Sequence, residues 1–260
     1  MLVTCVLLTV LVPSVSSQEL SPTASPENAV FQIITYDRDP ASDGLFHGHG
    51  FGTGFFIDAD GTALTASHVT YSAVAHPQQY RLLAVVGKEF YDATVLCSSR
   101  LPYNPETQKK GLGVPWGRDV AKIKVEPSTA FEGRKDTLYY SLRGGTVIAW
   151  ARAHTGPLPR FPFLTLDGAP GQRVHIIGYG RISVMPYKWT TDGEVTRTFL
   201  APDGTPLFDV ESTNPPVPGD SGAPVLNERN QVVGLWAWHS ITNPTLGTAE
   251  RAEVLRDPCH

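Results

Sequence analysis

What most constrains this chain is that its apolar residues come in short runs closed off by glycine, proline or polar turns. "AVFQIITY", "GTGFFID", "GTALTAS", "RLLAVVG" and "DATVLCS" follow one another before residue 100. "RVHIIGYG", "EVTRTFL", "PLFDVEST", "APVLN" and "QVVGLWAW" form a second set after residue 168. The 24 Gly and 22 Pro are spread along the chain rather than clustered, as many short strands joined by turns require. "DADG" at 58–61 has the composition of a hairpin turn. In "DVAKIKV", Ala121, Ile123 and Val125 alternate with Lys122 and Lys124, the period of a half-buried strand. Residues 101–117 read as a long polar loop, and 126–168 as irregular sequence holding a boundary between the two sets. The only helix expected lies in the tail, around 249–256. The expectation is an all-β chain in two groups of about six strands, as barrels or sandwiches.

A chain of 260 residues with 41% hydrophobic content can bury a core in one large domain or two small ones. Its net charge of −4 argues against nucleic acid as the main partner, because phosphate binding needs a basic face. Residues 1–17 carry an apolar run from Leu2 to Val12, shorter than the roughly 20 residues of a bilayer span. They are expected to be a signal peptide, cleaved after Ser17, although no Lys or Arg precedes the run. Residues 18–28 are polar and Pro/Ser-rich and are expected to be a flexible leader. The reading is a secreted, periplasmic or otherwise extracytoplasmic protein without a stable membrane span. After cleavage two cysteines remain, Cys97 and Cys259, and export permits a disulfide between them.

The chemistry centres on "PGDSGAPV", residues 218–225. Ser221 sits between polar turn residues, so it is either a turn serine or a nucleophile. A serine hydroxyl is a poor nucleophile until a base takes its proton, and histidine suits that role. A carboxylate must then hold the imidazole in the right tautomer. His68 in "LTASHV" follows a strand-like run, and Asp119 opens the alternating strand. His47 and His49 form "HGH" in a Gly-rich loop with no evident third ligand, so no metal site is expected there.

"TASHV", "RDVAKIKV" and "PGDSGAPV", in that order, resemble the three signature blocks of the trypsin/chymotrypsin-like serine proteases. "QVVGLWAWHS" resembles the family's strand after the nucleophile, which carries the substrate backbone. The resemblance covers roughly residues 29–256 and implies a chymotrypsin-like fold. That fold is two six-stranded antiparallel β-barrels with the active site between them and a short C-terminal helix. The corresponding limits are 29–140 for the N-terminal barrel and 141–260 for the C-terminal one. Carried over by position, His68 is the general base, Asp119 its orienting carboxylate and Ser221 the nucleophile. The N–H groups of Gly219 and Ser221 form the oxyanion hole. The implied activity is hydrolysis of peptide bonds in protein or peptide substrates, with no cofactor and no metal. A monomer is the default.

The departures from the family are specific. Val69 stands where the animal enzymes have a Cys, and Ala223 where they have a second Gly. No Arg/Lys-Ile-Val-Gly-Gly activation site occurs near the start, which leaves Asp220 without its usual partner and points to the bacterial branches. Ala237 replaces the serine that usually accompanies the triad. The primary pocket is expected around Pro215, Trp236, Ala237, Trp238 and His239, shallow and apolar, favouring small or apolar residues before the cut. Trp236 is expected to wall that pocket, unless it packs as ordinary core. An α/β-hydrolase is disfavoured because "GDSGA" lacks the last glycine of the elbow motif and a strand follows it. A protease-like binding module that has lost catalysis is the second reading.

Overall fold

The computed structural model describes residues 25–38, 48–99, 117–129, 137–141, 147–166, 171–180, 187–240 and 242–259. The expected signal peptide, the leader as far as residue 24, His47 and most of the 101–117 loop lie outside the described residues. Residues 25–28, expected in the flexible leader, instead enter a 3-10 turn at Pro26–Ala29 with Pro26 buried.

The first sheet is built from β1 (Val30–Asp37), β2 (Gly48–Phe56), β3 (Thr62–Ala66), β4 (Tyr80–Val86), β5 (Glu89–Ser98) and β6 (Val120–Glu126). Their order is β4-β1-β2-β3-β6-β5, and the β4–β5 pairing closes them into a six-stranded antiparallel barrel. The expected turn joins β2 to β3: Asp58 Oδ1 accepts the N–H groups of Asp60 and Thr62, and Gly61 takes a φ of +94°. In β6 the predicted alternation holds. Ala121, Ile123 and Val125 are fully buried, while Lys122 and Lys124 are half-exposed.

A hairpin of β7 (Thr137–Ser141) and β8 (Val147–Ala153) extends this sheet. Strand β8 runs parallel to β5, with Glu89 opposite Arg152. The segment that follows also stays on the first barrel. Phe161 stacks on Phe56 with ring centroids 4.2 Å apart, and the N–H of Leu164 bonds the Phe56 carbonyl. The first unit therefore continues past the expected limit at residue 140, because pairing along β5 draws the hairpin back.

The second barrel closes in the order β10-β11-β14-β13-β12-β9. Its strands are β9 (Arg173–Gly180), β10 (Tyr187–Leu200), β11 (Pro206–Ser212), β12 (Pro224–Leu226), β13 (Val232–His239) and β14 (Leu246–Arg251). Its core holds Val174, Ile176, Phe208, Val210, Val225, Val233, Trp236 and Ala249. The chain is thus all-β in two closed six-stranded antiparallel barrels, the chymotrypsin-like fold.

Helix is scarce. Helix α1 (Ser67–Ala75) was not expected from the sequence. Its nine residues include the β-branched Val69, Thr70 and Val74, and a helix this short is marginal without tertiary support. That support is visible: Ser67, Val69 and Thr70 are buried, and Val69 packs where a side chain on Gly52 would otherwise sit. Helix α2 (Ala252–Leu255) is the expected tail helix, but residues 249–251 belong to β14. The sulfurs of Cys97 in β5 and Cys259 after α2 are bonded, with Cα atoms 5.5 Å apart. No helix among the described residues is long and apolar enough to cross a membrane.

Candidate active site

His68 and Asp119 come together where β3 turns into α1 and the chain enters β6. The Thr65–Ala121 and Ala66–Val120 pairings set the two strand ends side by side. The N–H of Ser67 then bonds the Asp119 carbonyl at 3.0 Å. The Asp119 carboxylate accepts two hydrogen bonds from His68, one from the backbone N–H at 2.8 Å and one involving ring Nδ1 at 2.6 Å. Asp119 is fully buried, whereas the His68 side chain keeps 36% of its surface exposed. Partial desolvation works against an imidazolium charge on His68. Attraction and hydrogen bonding from Asp119, with a smaller contribution from Asp220, outweigh it and hold the ring above its ordinary pKa. A ring bonded this way through Nδ1 leaves Nε2 to accept a proton from outside the pair.

Ser221 lies on the turn between β11 and β12. Gly219 and Gly222 adopt φ of +103° and +90°, a region open mainly to glycine. Gly222 has a second reason to be glycine: a Cβ there would lie 2.2 Å from the Thr53 carbonyl oxygen and 2.8 Å from the Ala66 nitrogen. This close approach presses the turn against the β3–α1 junction that carries His68. The Ser221 carbonyl accepts the N–H of Thr53 at 2.8 Å, and the Gly219 carbonyl accepts the Thr53 hydroxyl at 2.9 Å. The same hydroxyl accepts the N–H of Tyr179 at 2.8 Å. With their carbonyls tied inward, Gly219 and Ser221 have N–H groups that meet no protein acceptor among the described residues. No hydrogen bond joins Ser221 Oγ to His68 in this arrangement.

A histidine–carboxylate pair, a serine on a tight glycine turn and two unengaged N–H groups can serve nucleophilic acyl transfer. The profile of the Trypsin-like peptidase domain matches residues 52–235, which include His68, Asp119 and Ser221. The chain belongs to the trypsin-like peptidase family. Solved structures agree in fold. Deg5 matches with 14% identity and a TM-score of 0.54, over 88% of this chain and 86% of that one. A serine-to-alanine mutant of Rv3671c from M. tuberculosis, in its inactive form, matches with 17% identity and a TM-score of 0.52, over 91% and 92%. The Rv3671c protease in its inactive form matches with 18% identity and a TM-score of 0.51, over 90% and 93%. No curated protein matches this chain.

The surroundings of the site show how this trypsin-like peptidase differs from its family's pattern. Asp220 is 3% exposed, and its Oδ2 accepts the N–H of Val217 at 2.9 Å. Burial pushes its carboxyl up to about 7, opposed by the Val217 N–H, the Trp236 indole and the charge of His68. The Trp236 Nε1–H faces that carboxylate without completing a hydrogen bond. Ala223, in place of a glycine, is accommodated by Gly178, where a Cβ would come within 3.3 Å of it.

The residues expected around a pocket are dispersed by exposure. Pro215 and His239 are exposed, Trp238 is half-buried and Ala237 is buried. Trp236 is 1% exposed and packs in the second barrel's core. Its six-membered ring also lies over Gly247, where a Cβ would come 2.0 Å from it. Two residues at the site were not singled out from sequence. Thr53 is marked only by its flanking glycines in "FGTGFF". Glu250 is marked only as an acid inside the buried stretch of "LGTAER", where it is fully buried. Among the described residues, no group of three or more His, Cys, Asp or Glu could hold a metal ion.

Proposed function

We propose that this chain is a secreted serine endopeptidase acting through a His68-Asp119-Ser221 triad and an acyl-enzyme. Ser221 Oγ attacks the scissile carbonyl while His68 Nε2 takes its proton. Asp119 fixes the ring tautomer and stabilises the imidazolium that forms. The N–H groups of Gly219 and Ser221 hold the developing oxyanion. His68 returns its proton to the leaving amine, which departs and leaves the acyl group on Ser221. Water, deprotonated by His68, then releases the acid product.

The observation that carries this reading is the 2.6 Å contact between His68 Nδ1 and a buried Asp119. It leaves Nε2, which has no hydrogen-bond partner among the described residues, to act as the base. The open Ser221–His68 distance is compatible with it, since catalytic hydrogen bonds often tighten only when substrate binds. Export is supported by the apolar start of the chain and by the Cys97–Cys259 bond, which an oxidising compartment sustains. The primary pocket is read as occupied from within by Trp236, which favours small uncharged residues before the cut.

The missing Ser221–His68 bond and the alanine at 237 favour a second reading, a protease-like binding module. Labelling of the purified chain with a fluorophosphonate separates the two. Covalent modification of wild type at Ser221, absent in Ser221→Ala and strongly slowed in Asp119→Asn, is the result expected of the peptidase. A folded wild-type chain that resists the probe would leave the binding module standing.

A further inference from the structure

Glu250 is the buried titratable group that the mechanism above leaves unused. It lies on β14, opposite Leu207 of β11 and Leu235 of β13, and none of its surface is exposed. Its Oε1 accepts the backbone N–H of Asp119, which reaches it from the other barrel. Its Oε2 has no hydrogen-bond partner among the described residues. An ionised carboxylate cannot rest there at low cost, with one oxygen bare in a dry site beside a second buried carboxylate. Arg118, whose charge favours the ionised form, is directed to the Asp257 carbonyl and makes no hydrogen bond to Glu250.

We propose that Glu250 is a positioning residue for the site, gripping the Asp119 backbone across the barrel interface as a neutral acid. The aspartate needs such an anchor. Among the described residues its carboxylate is bonded by His68 alone, through N–H and Nδ1, and Ala237 has no hydroxyl to offer. Asp119 immediately precedes β6, so its own N–H falls outside the strand ladder and requires an acceptor. Glu250 supplies one from a strand that the second barrel holds rigid on both sides. The electrostatic surroundings agree with a proton on Glu250. Burial, then the charge of Asp119, raises its pKa, and the Asp119 N–H and Arg118 only partly counter them; Asp203 adds to the rise.

The proposal rests on the reading of Asp119 as the partner that orients His68, but its test does not depend on catalysis. The His68 ring is titrated by NMR in the full-length wild type, Glu250→Gln and Glu250→Met, with kcat and KM measured in parallel. Glutamine keeps the neutral acceptor, so the His68 titration and kcat should match wild type. Methionine fills the space without an acceptor. Its His68 pKa should fall toward the ordinary value as the aspartate loosens. Its kcat should fall about 10- to 100-fold with KM unchanged, the scale of a small misplacement of a catalytic group. An unmoved His68 titration in Glu250→Met would overturn the grip. A His68 pKa lowered in Glu250→Gln would show that Glu250 acts as an anion and overturn the neutral form. That glutamine arm decides if the methionine variant fails to fold. If wild type cleaves nothing and takes no probe, the peptidase reading fails while the titrations still test the contact.

Discussion

The ring of Trp236 covers Gly247 so closely that a Cβ on the glycine would come 2.0 Å from it. Both residues belong to the antiparallel pair β13–β14, where Trp236 stands opposite Ala249 and Gly247 lies two residues before that partner, opposite His239. The indole thereby takes up space between the two strands and beneath the Asp220 turn. On the proposed reading of the pocket, a side chain entering from the substrate would have to share that space.

Shortening the indole should therefore widen specificity. Wild type is expected to prefer small uncharged residues before the cut, and Trp236→Val to accept larger apolar ones. The change per added methylene should be about 1–3 kcal/mol in relative kcat/KM. Removing a buried ring also costs stability, about 3–5 kcal/mol on the scale of large-to-small core changes. Peptide-library profiles of both proteins check this. Identical profiles, or a wild-type profile led by Arg/Lys or Asp/Glu, would remove Trp236 from the pocket.

The second expectation concerns pH. In the proposed mechanism His68 must be neutral to accept the serine proton, and its pair with Asp119 holds the ring above the ordinary value. Activity should fall on acidification, with a midpoint in kcat/KM above about 6.5. The sign for stability is the reverse. A raised histidine pKa stabilises the fold below the unfolded value, and that contribution is lost as pH rises through the folded one. A pH–rate profile flat down to about pH 4 would contradict a histidine base.

Thr53 should matter as much as the turn it holds. It is fully buried, and its hydroxyl serves both the Gly219 carbonyl and the Tyr179 N–H. Valine has nearly the same shape and would leave both backbone groups unpaired. Each stranded group costs about 1–3 kcal/mol, so Thr53→Val should lower the urea midpoint clearly. Because the proposed mechanism places the Gly219 peptide in the anion site, kcat should drop more than KM rises, by about 10²-fold or more. Urea titration and steady-state kinetics measure the two effects. An unchanged kcat in a destabilised variant would mean that the turn keeps its geometry without the threonine.

Much of this protein could be read from local sequence. Apolar runs of strand length between glycines and prolines specify β-structure, because turn chemistry and a period of two are properties of neighbouring residues. Asp58 and Gly61 close the β2–β3 turn with their own side chain and φ, and β6 alternates as its residues dictate. The His68, Asp119 and Ser221 blocks were legible for the same reason.

Tertiary structure alone decided the rest. Helix α1 begins at Ser67 because packing against Gly52 and the bond to Asp119 outweigh its weak propensity. The β7–β8 hairpin stays with the first barrel because β5 offers it an edge. Thr53 meets Gly219 across 166 positions, Glu250 meets Asp119 across 131, and Cys97 meets Cys259 across 162. The direction of the Trp236 ring depends on Gly247 being bare. No periodicity encodes such meetings: they arise only when two closed barrels press together and most buried donors find an acceptor.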